Sequence, residues 1–156
     1  RHAMIDRSQI GLAMTPFTVT AEPGRLRFFA RAIGEANPIF FDEAAARAAG
    51  HPGLPLPPTF LFSMELDGPE PFAFVDRLGI DLGRMLHGEQ SFTYHRPAHA
   101  GEALTFTARV ADIFDKKNGA LTFVVRETKV TDAAGAPVAD LTTMLVVRNP
   151  ALREVR

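Results

Sequence analysis

Residues 29–50 read FARAIGEANPIFFDEAAARAAG, and the polar stretch from Glu35 to Pro38 interrupts two helical runs. A carboxylate held at such a bend can exchange protons near neutral pH if its surroundings tune it. The bend carries one carboxylate, Glu35, and no imidazole. Two readings of Glu35 stay open. It is a general acid or base, or it is a solvated helix-end carboxylate where Gly34 stops a helix and Asn37-Pro38 turns the chain. His87 is the second candidate. In LHGEQ it adjoins Gly88 and stands close to Glu89 and Gln90, at the start of a strand pattern. Buried against a substrate, such a histidine shuttles a proton. Otherwise the HGEQ group orients the strand entrance through hydrogen bonds to loop backbone. His95-Arg96 either meets phosphate groups or stands as a solvated strand pair. His51, in a Pro/Gly loop, is read as exposed. His99, in a turn, is given no role, and His2 belongs to the N-terminal extension.

Other chemistries lack their residues. The chain has no cysteine, so thiol catalysis, disulfides and thiolate metal sites are excluded. His87, Glu89, His95 and His99 match no helical histidine motif, and no metal site is expected. Ser63 lacks a G-x-S-x-G frame. No G-x-G-x-x-G or phosphate loop occurs, so no nucleotide cofactor is expected. The net charge is −1 with both signs interspersed, which does not provide the basic stripe of a nucleic-acid protein. No apolar run approaches the roughly 18 residues of a membrane span. The start, RHAMIDRSQIG, lacks the apolar centre of an export signal. A cytoplasmic location is the expectation. Residues 1–9 are read as a tag or extension, with Arg1–Met4 a cloning remnant, residues 10–150 as one domain and residues 151–156 as a tail. The 156 residues suffice for one buried core.

The first half is rich in Gly and Pro and reads as helix or loop. After Glu22-Pro23-Gly24, Leu26, Phe29, Ala30 and Ile33 recur at helical spacing. Asp42 is a good N-cap for EAAARAAG, which Gly50 closes. HPGLPLPP, residues 51–58, has four prolines in eight residues and cannot be regular. Thr59 is placed to cap a third helix, FLFSMEL, apolar nearly all round and therefore buried. From Met85 the period becomes two. Leu104, Phe106, Ala108 and Val110 oppose Thr105, Thr107 and Arg109. Ala139, Leu141, Thr143, Leu145 and Val147 form another inward row. DKKNGA and DAAGAP read as hairpin turns. Four strands are expected as an antiparallel meander, covered on one face by the apolar helix, in an α+β domain.

ARAIGEANPIFFDEAAARAAG, PPTF and LHGEQSFTYHRPAHAGEALT, with a later ET, a D..G and a final R, together resemble the MaoC-like dehydratases. The similarity runs roughly from Ile10 to Arg148 and is greatest to the N-terminal, FAS1-like dehydratase type. The resemblance implies a hot-dog fold, a sheet wrapped around one apolar helix. It implies a homodimer, or a heterodimer with another hot-dog subunit, handling acyl thioesters of coenzyme A or acyl carrier protein. That carrier belongs to the substrate, and no other cofactor is implied. The implied reaction is reversible addition of water to a trans-2-enoyl thioester, giving a 3-hydroxyacyl thioester.

Such a reaction needs a base on water, an acid for C2 and donors for the thioester oxygen. In the hydratase branch of the family the bend reads roughly Gly-Asp-x-Asn-Pro-x-His. This chain keeps Gly34, Asn37 and Pro38 but has Glu35 for the Asp and Phe40 for the His. Glutamate is one methylene longer, and about 1 Å of misplacement can cost roughly 100-fold. Phenylalanine transfers no proton. The resemblance gives Asn37 a role in holding loop and substrate. It gives the backbone N–H groups of Thr59 and Phe60 a role on the thioester carbonyl; the alternative for Thr59 is simple capping. Phe40, Phe41, Phe72 and Phe74 line an acyl channel or are buried in the core or at a dimer interface. Three functions follow: a hydratase/dehydratase using Glu35 and His87; a non-catalytic acyl-binding subunit paired with a chain carrying the Asp/His pair; or a thioesterase-like acyl-binding module.

Overall fold

The computed structural model describes residues 4–150. Residues 1–3 of the extension, with His2, and the tail 151–156 lie outside the described residues. Helix α1 (Pro23–Ala32) begins with proline in its first turn, where no N–H is needed. Leu26 and Ala30 are fully buried on its inner face. Gly34 follows at φ +73°, the left-handed stop expected of it. Ile33 departs from the expected apolar stripe. It sits past the last helical residue, at φ −89° and ψ 2°, and is 51% exposed. The unwinding that ends the helix turns it off the buried face. Helix α2 (Glu43–Ala48) is capped by Asp42, whose Oδ1 accepts from the Ala44 N–H at 3.0 Å.

Helix α3 (Phe60–Glu65) is the buried apolar helix, shorter than expected, and a fourth short helix, α4 (Ala73–Arg77), follows it. Thr59 does not cap α3 with its side chain. Its backbone is already helical, at φ −83° and ψ −3°, whereas a capping residue needs an extended one. The Phe60 N–H donates instead to the Pro57 carbonyl at 2.9 Å.

Five antiparallel strands form one sheet: β1 (Phe17–Thr20), β2 (Met85–Tyr94), β3 (Ala103–Lys116), β4 (Leu121–Thr131) and β5 (Pro137–Arg148), in the order β1-β3-β4-β5-β2. The expected four-strand meander is corrected. Only β3, β4 and β5 form one, and β2 lies at the far edge against β5. The reason is the connection. The two turns that hold the meander are tight: Lys117 and Asn118 take φ of 51° and 53° in one, and Asp132 accepts from Ala134 and Ala136 in the other. The β2–β3 link is a long loop that imposes no hairpin, so alternation alone does not choose the partner of β2. Strand β1, absent from the sequence reading, pairs with β3.

The inward rows behave as expected from alternation, and they divide the interior. Leu26, Phe60, Leu61, Met64, Leu104, Phe106, Val130 and Leu141 belong to one apolar cluster. Phe74, Val75, Val110, Ile113, Val124, Leu145 and Val147 belong to another. Between them the inward positions of β4 and β5 turn polar: Arg126, Thr128 and Thr143 are all buried, with Glu65 of α3. The sheet over a central apolar helix is the hot-dog fold. Residues 4–9, read as extension, lie against it: Ile5 packs on the second cluster and Arg7 pairs with Asp115 at 2.9 Å.

Candidate functional site

The bend after α1 and the Pro-rich loop before α3 enclose a cavity of about 440 Å³ whose walls are largely apolar. Ile39 and Phe40 of the bend, His51, Leu56, Leu61 and Tyr94 border it. Sequence alone built the bend correctly but not its aim. The Glu35 carboxylate turns back on its own backbone, where Oε1 accepts from the N–H groups of Ala36 and Asn37, each at 2.9 Å. Asn37 Oδ1 accepts from the Ile39 N–H at 3.2 Å and caps the short turn Pro38–Phe40. Neither side chain borders the cavity; Phe40 does. Arg27 fixes the bend to α1 by donating from Nε to the Phe41 carbonyl at 2.8 Å.

His87 is not brought to this cavity. It lies exposed on the edge strand β2, where the register shifts between His87 and Glu89. Its Nε2 is 3.1 Å from Gln90 Oε1, and its ring is 5.1 Å from that of Phe62. Glu35 and His87 therefore do not face one cavity. Phe60 is 2% exposed and packs edge-on against Phe29. The expectation that its N–H is free for a carbonyl is corrected, because Pro57 takes it. Phe74 is buried in the second cluster and Phe72 is 49% exposed, so neither shares this wall.

Two histidines that the sequence left idle complete the site. His51 is half-buried, not exposed as expected, because the Pro-rich loop is zipped onto the β2–β3 loop. Leu56 N–H donates to the Ala98 carbonyl at 2.9 Å and Ala100 N–H to the Leu54 carbonyl at 2.8 Å. That zipper places His51 Nδ1 at 3.0 Å from His99 Nε2. His99 Nδ1 is in turn 3.6 Å from Glu102 Oε2, which accepts the His99 backbone N–H at 2.7 Å. The carboxylate favours the His99 tautomer protonated at Nδ1. His99 Nε2 then accepts from His51 Nδ1, which leaves His51 Nε2 as a free acceptor on a ring that borders the cavity. Burial lowers the pKa of His99, against an opposing pull from Glu102, and keeps it neutral at pH 7.

Arg96 anchors this array. It donates to Glu102 at 2.7 Å and 3.2 Å and to Asp132 at 3.1 Å. A guanidinium so engaged has less to offer a phosphate, which weighs against the His95-Arg96 phosphate reading. His95 itself pairs with Asp140 at 2.8 Å. The Tyr94 hydroxyl donates to the Pro58 carbonyl, and burial pushes its pKa up to about 12, so it stays a donor. Burial works to raise the Glu102 pKa, but Arg96 and the His99 N–H outweigh it and hold the carboxylate below its ordinary value. A lowered folded pKa gives stability that is present above the ordinary value of 4.5 and is lost as pH falls through the folded one. Wild type should therefore exceed Glu102→Gln in denaturant midpoint at pH 7. That gap should narrow as pH falls below 4.5; a gap constant from pH 7 to 3 would refute the ion-pair account.

No local signal marked His51 and His99 as neighbours. Their contact spans 48 residues and depends on two irregular loops. Among the described residues no group of three or more His, Cys, Asp or Glu is arranged to hold a metal ion. No helix among them is long and apolar enough to cross a membrane.

The chain matches the family described as "FAS1-like, dehydratase domain region" over residues 8–141. It is 38% identical over 146 residues to a UPF0336 protein of Streptomyces coelicolor, covering 92% of this chain and 95% of that one. Among solved structures it is similar to a chain of the C-terminally truncated HadBC (3R-hydroxyacyl-ACP dehydratase) complex from Mycobacterium tuberculosis. That match has a TM-score of 0.74 and 26% identity and covers 94% of this chain and 99% of that one. It is also similar to a solved MaoC-like dehydratase, with a TM-score of 0.80 and 25% identity over 91% of this chain and 43% of that one.

Proposed function

We propose a function that proceeds from one fact: the chain belongs to the FAS1-like dehydratase domain family. It binds the acyl group of an enoyl or 3-hydroxyacyl thioester of coenzyme A or acyl carrier protein. A second hot-dog chain supplies the acid–base pair for reversible water addition. The observation that carries this reading is the aim of the bend. Its Phe40 faces the cavity while its carboxylate is spent on its own backbone. An apolar wall without an aimed acid holds a hydrocarbon chain but does not protonate it. Two further observations support it. A similar solved chain belongs to the HadBC complex. The edge strand β2 exposes Leu86 and has an outer side with no strand partner among the described residues.

A second reading has one observation in its favour. The His51 ring, in contact with His99, borders the cavity, where an imidazole is placed to act on water without a second chain. One assay separates the two. The purified chain is given trans-2-enoyl thioesters of short and long chain, alone and mixed with a hot-dog chain that carries the Asp/His pair. Background rates alone and turnover on mixing are expected. Turnover by the lone chain that His51→Ala abolishes would replace the first reading with the second.

A further inference from the structure

A second cavity, of about 280 Å³, opens at the polar waist between the two apolar clusters. Met14, Phe17, Phe74, Ala108, Glu65 and Arg126 border it. Ala108 is the small inward residue of β3 and pairs in register with Thr128 of β4. Its missing bulk helps leave the room.

Arg126 is 6% exposed, and its Nε is buried with no hydrogen-bond partner among the described residues. Its Nε is 3.4 Å from Glu65 Oε1, beyond good hydrogen-bond reach. The guanidinium rests over the Phe74 ring, 4.7 Å from its centre. Glu65 is 4% exposed. Its Oε1 accepts from the Thr128 hydroxyl, and its Oε2 has no partner among the described residues. Natural proteins rarely bury a charged donor and leave it empty. The charge, by contrast, is already balanced, because Glu65 offsets Arg126. A carboxylate ligand would add an uncompensated buried charge, which the low-dielectric interior disfavours. A neutral oxygen accepts from the terminal guanidinium nitrogens without that cost.

We infer that the waist is a binding site for a small uncharged hydrocarbon bearing a carbonyl or hydroxyl oxygen. The oxygen lies on Arg126 and the apolar body lies among Met14, Phe17, Phe74 and Ala108. This site is distinct from the cavity at the bend and stands whether or not that cavity binds acyl groups.

The probes are 2-heptanone, heptanoate and toluene, titrated into the full chain and followed by nuclear magnetic resonance. The signals of the Ala108 and Met14 methyls and of Arg126 Nε report the site. Saturable shifts with 2-heptanone are expected, with at least tenfold weaker binding of heptanoate and of toluene. In Glu65→Met/Arg126→Met, which keeps the volume without the charges, the preference for 2-heptanone over toluene should vanish. Should the double variant fail to fold, the three probes on the native chain still decide. Equal binding of toluene, tighter binding of heptanoate, or no shift at Ala108 and Met14 would each overturn the assignment.

Discussion

Arg126→Met is expected to destabilise the fold by about 3–5 kcal/mol. Arg126 and Glu65 are 6% and 4% exposed, and methionine in place of the cation leaves the Glu65 carboxylate in a low-dielectric interior with no positive charge beside it. The Thr128 hydroxyl still donates to Glu65, but one neutral donor does not offset a buried charge. A domain of this kind is stable by only about 5–15 kcal/mol, so one substitution removes a large share. Glu65→Met should be as costly, because it strands the guanidinium over Phe74. The double variant Glu65→Met/Arg126→Met should recover most of the loss. It removes both charges and joins the two apolar clusters on either side of the waist. Charged pairs replaced together by apolar side chains of similar size are often neutral or stabilising. Urea unfolding of the four proteins at pH 7 gives the coupling directly. If the double variant is as unstable as the sum of the singles, the waist is held by packing and not by charge.

The waist also shows where sequence reading works and where it stops. The alternation of β5 placed Leu141, Thr143 and Leu145 on one face, and all three are buried there. It did not say that Thr143 would meet Gln90 at 2.7 Å, because that contact needs the pairing of β5 with β2, which lies 53 residues back. The same limit explains the corrected meander. Tight turns at Asn118 and Asp132 are local chemistry and were legible; the partner of β2 is a long-range choice. At the bend, Gly34, Asp42 and the turn at Asn37 were legible because each acts on backbone one to four residues away. The direction of Glu35 was not, since two nearby N–H groups compete with any distant substrate for one carboxylate. His51 and His99 were hidden for a different reason. They sit in loops without period, and only the zipper between residues 54–56 and 98–100 brings them together.

Phe40→Glu should raise the KM for an acyl thioester roughly 100-fold in the two-chain assembly, with kcat changed less than about fivefold. Phe40 contributes apolar wall to the cavity of about 440 Å³. Burying hydrocarbon against such a wall is worth about 0.8 kcal/mol per methylene. A carboxylate at that position must stay hydrated, so it holds water where the chain should lie. Losing three or four methylenes of contact amounts to about 2.8 kcal/mol, or two factors of ten. The loss falls on KM because ground state and transition state share the wall equally. Phe40→Leu, which keeps the wall apolar, should raise KM only a few-fold. Phe40→His is the sharper control. It restores an imidazole at the bend, yet the lone chain should remain inactive, because the Glu35 carboxylate still serves the Ala36 and Asn37 N–H groups. Steady-state kinetics of the three variants, alone and mixed, decide between these roles. A fall in kcat with unchanged KM would make Phe40 a positioning residue for the chemistry. Turnover by lone Phe40→His would mean that Glu35 leaves its backbone partners when substrate arrives.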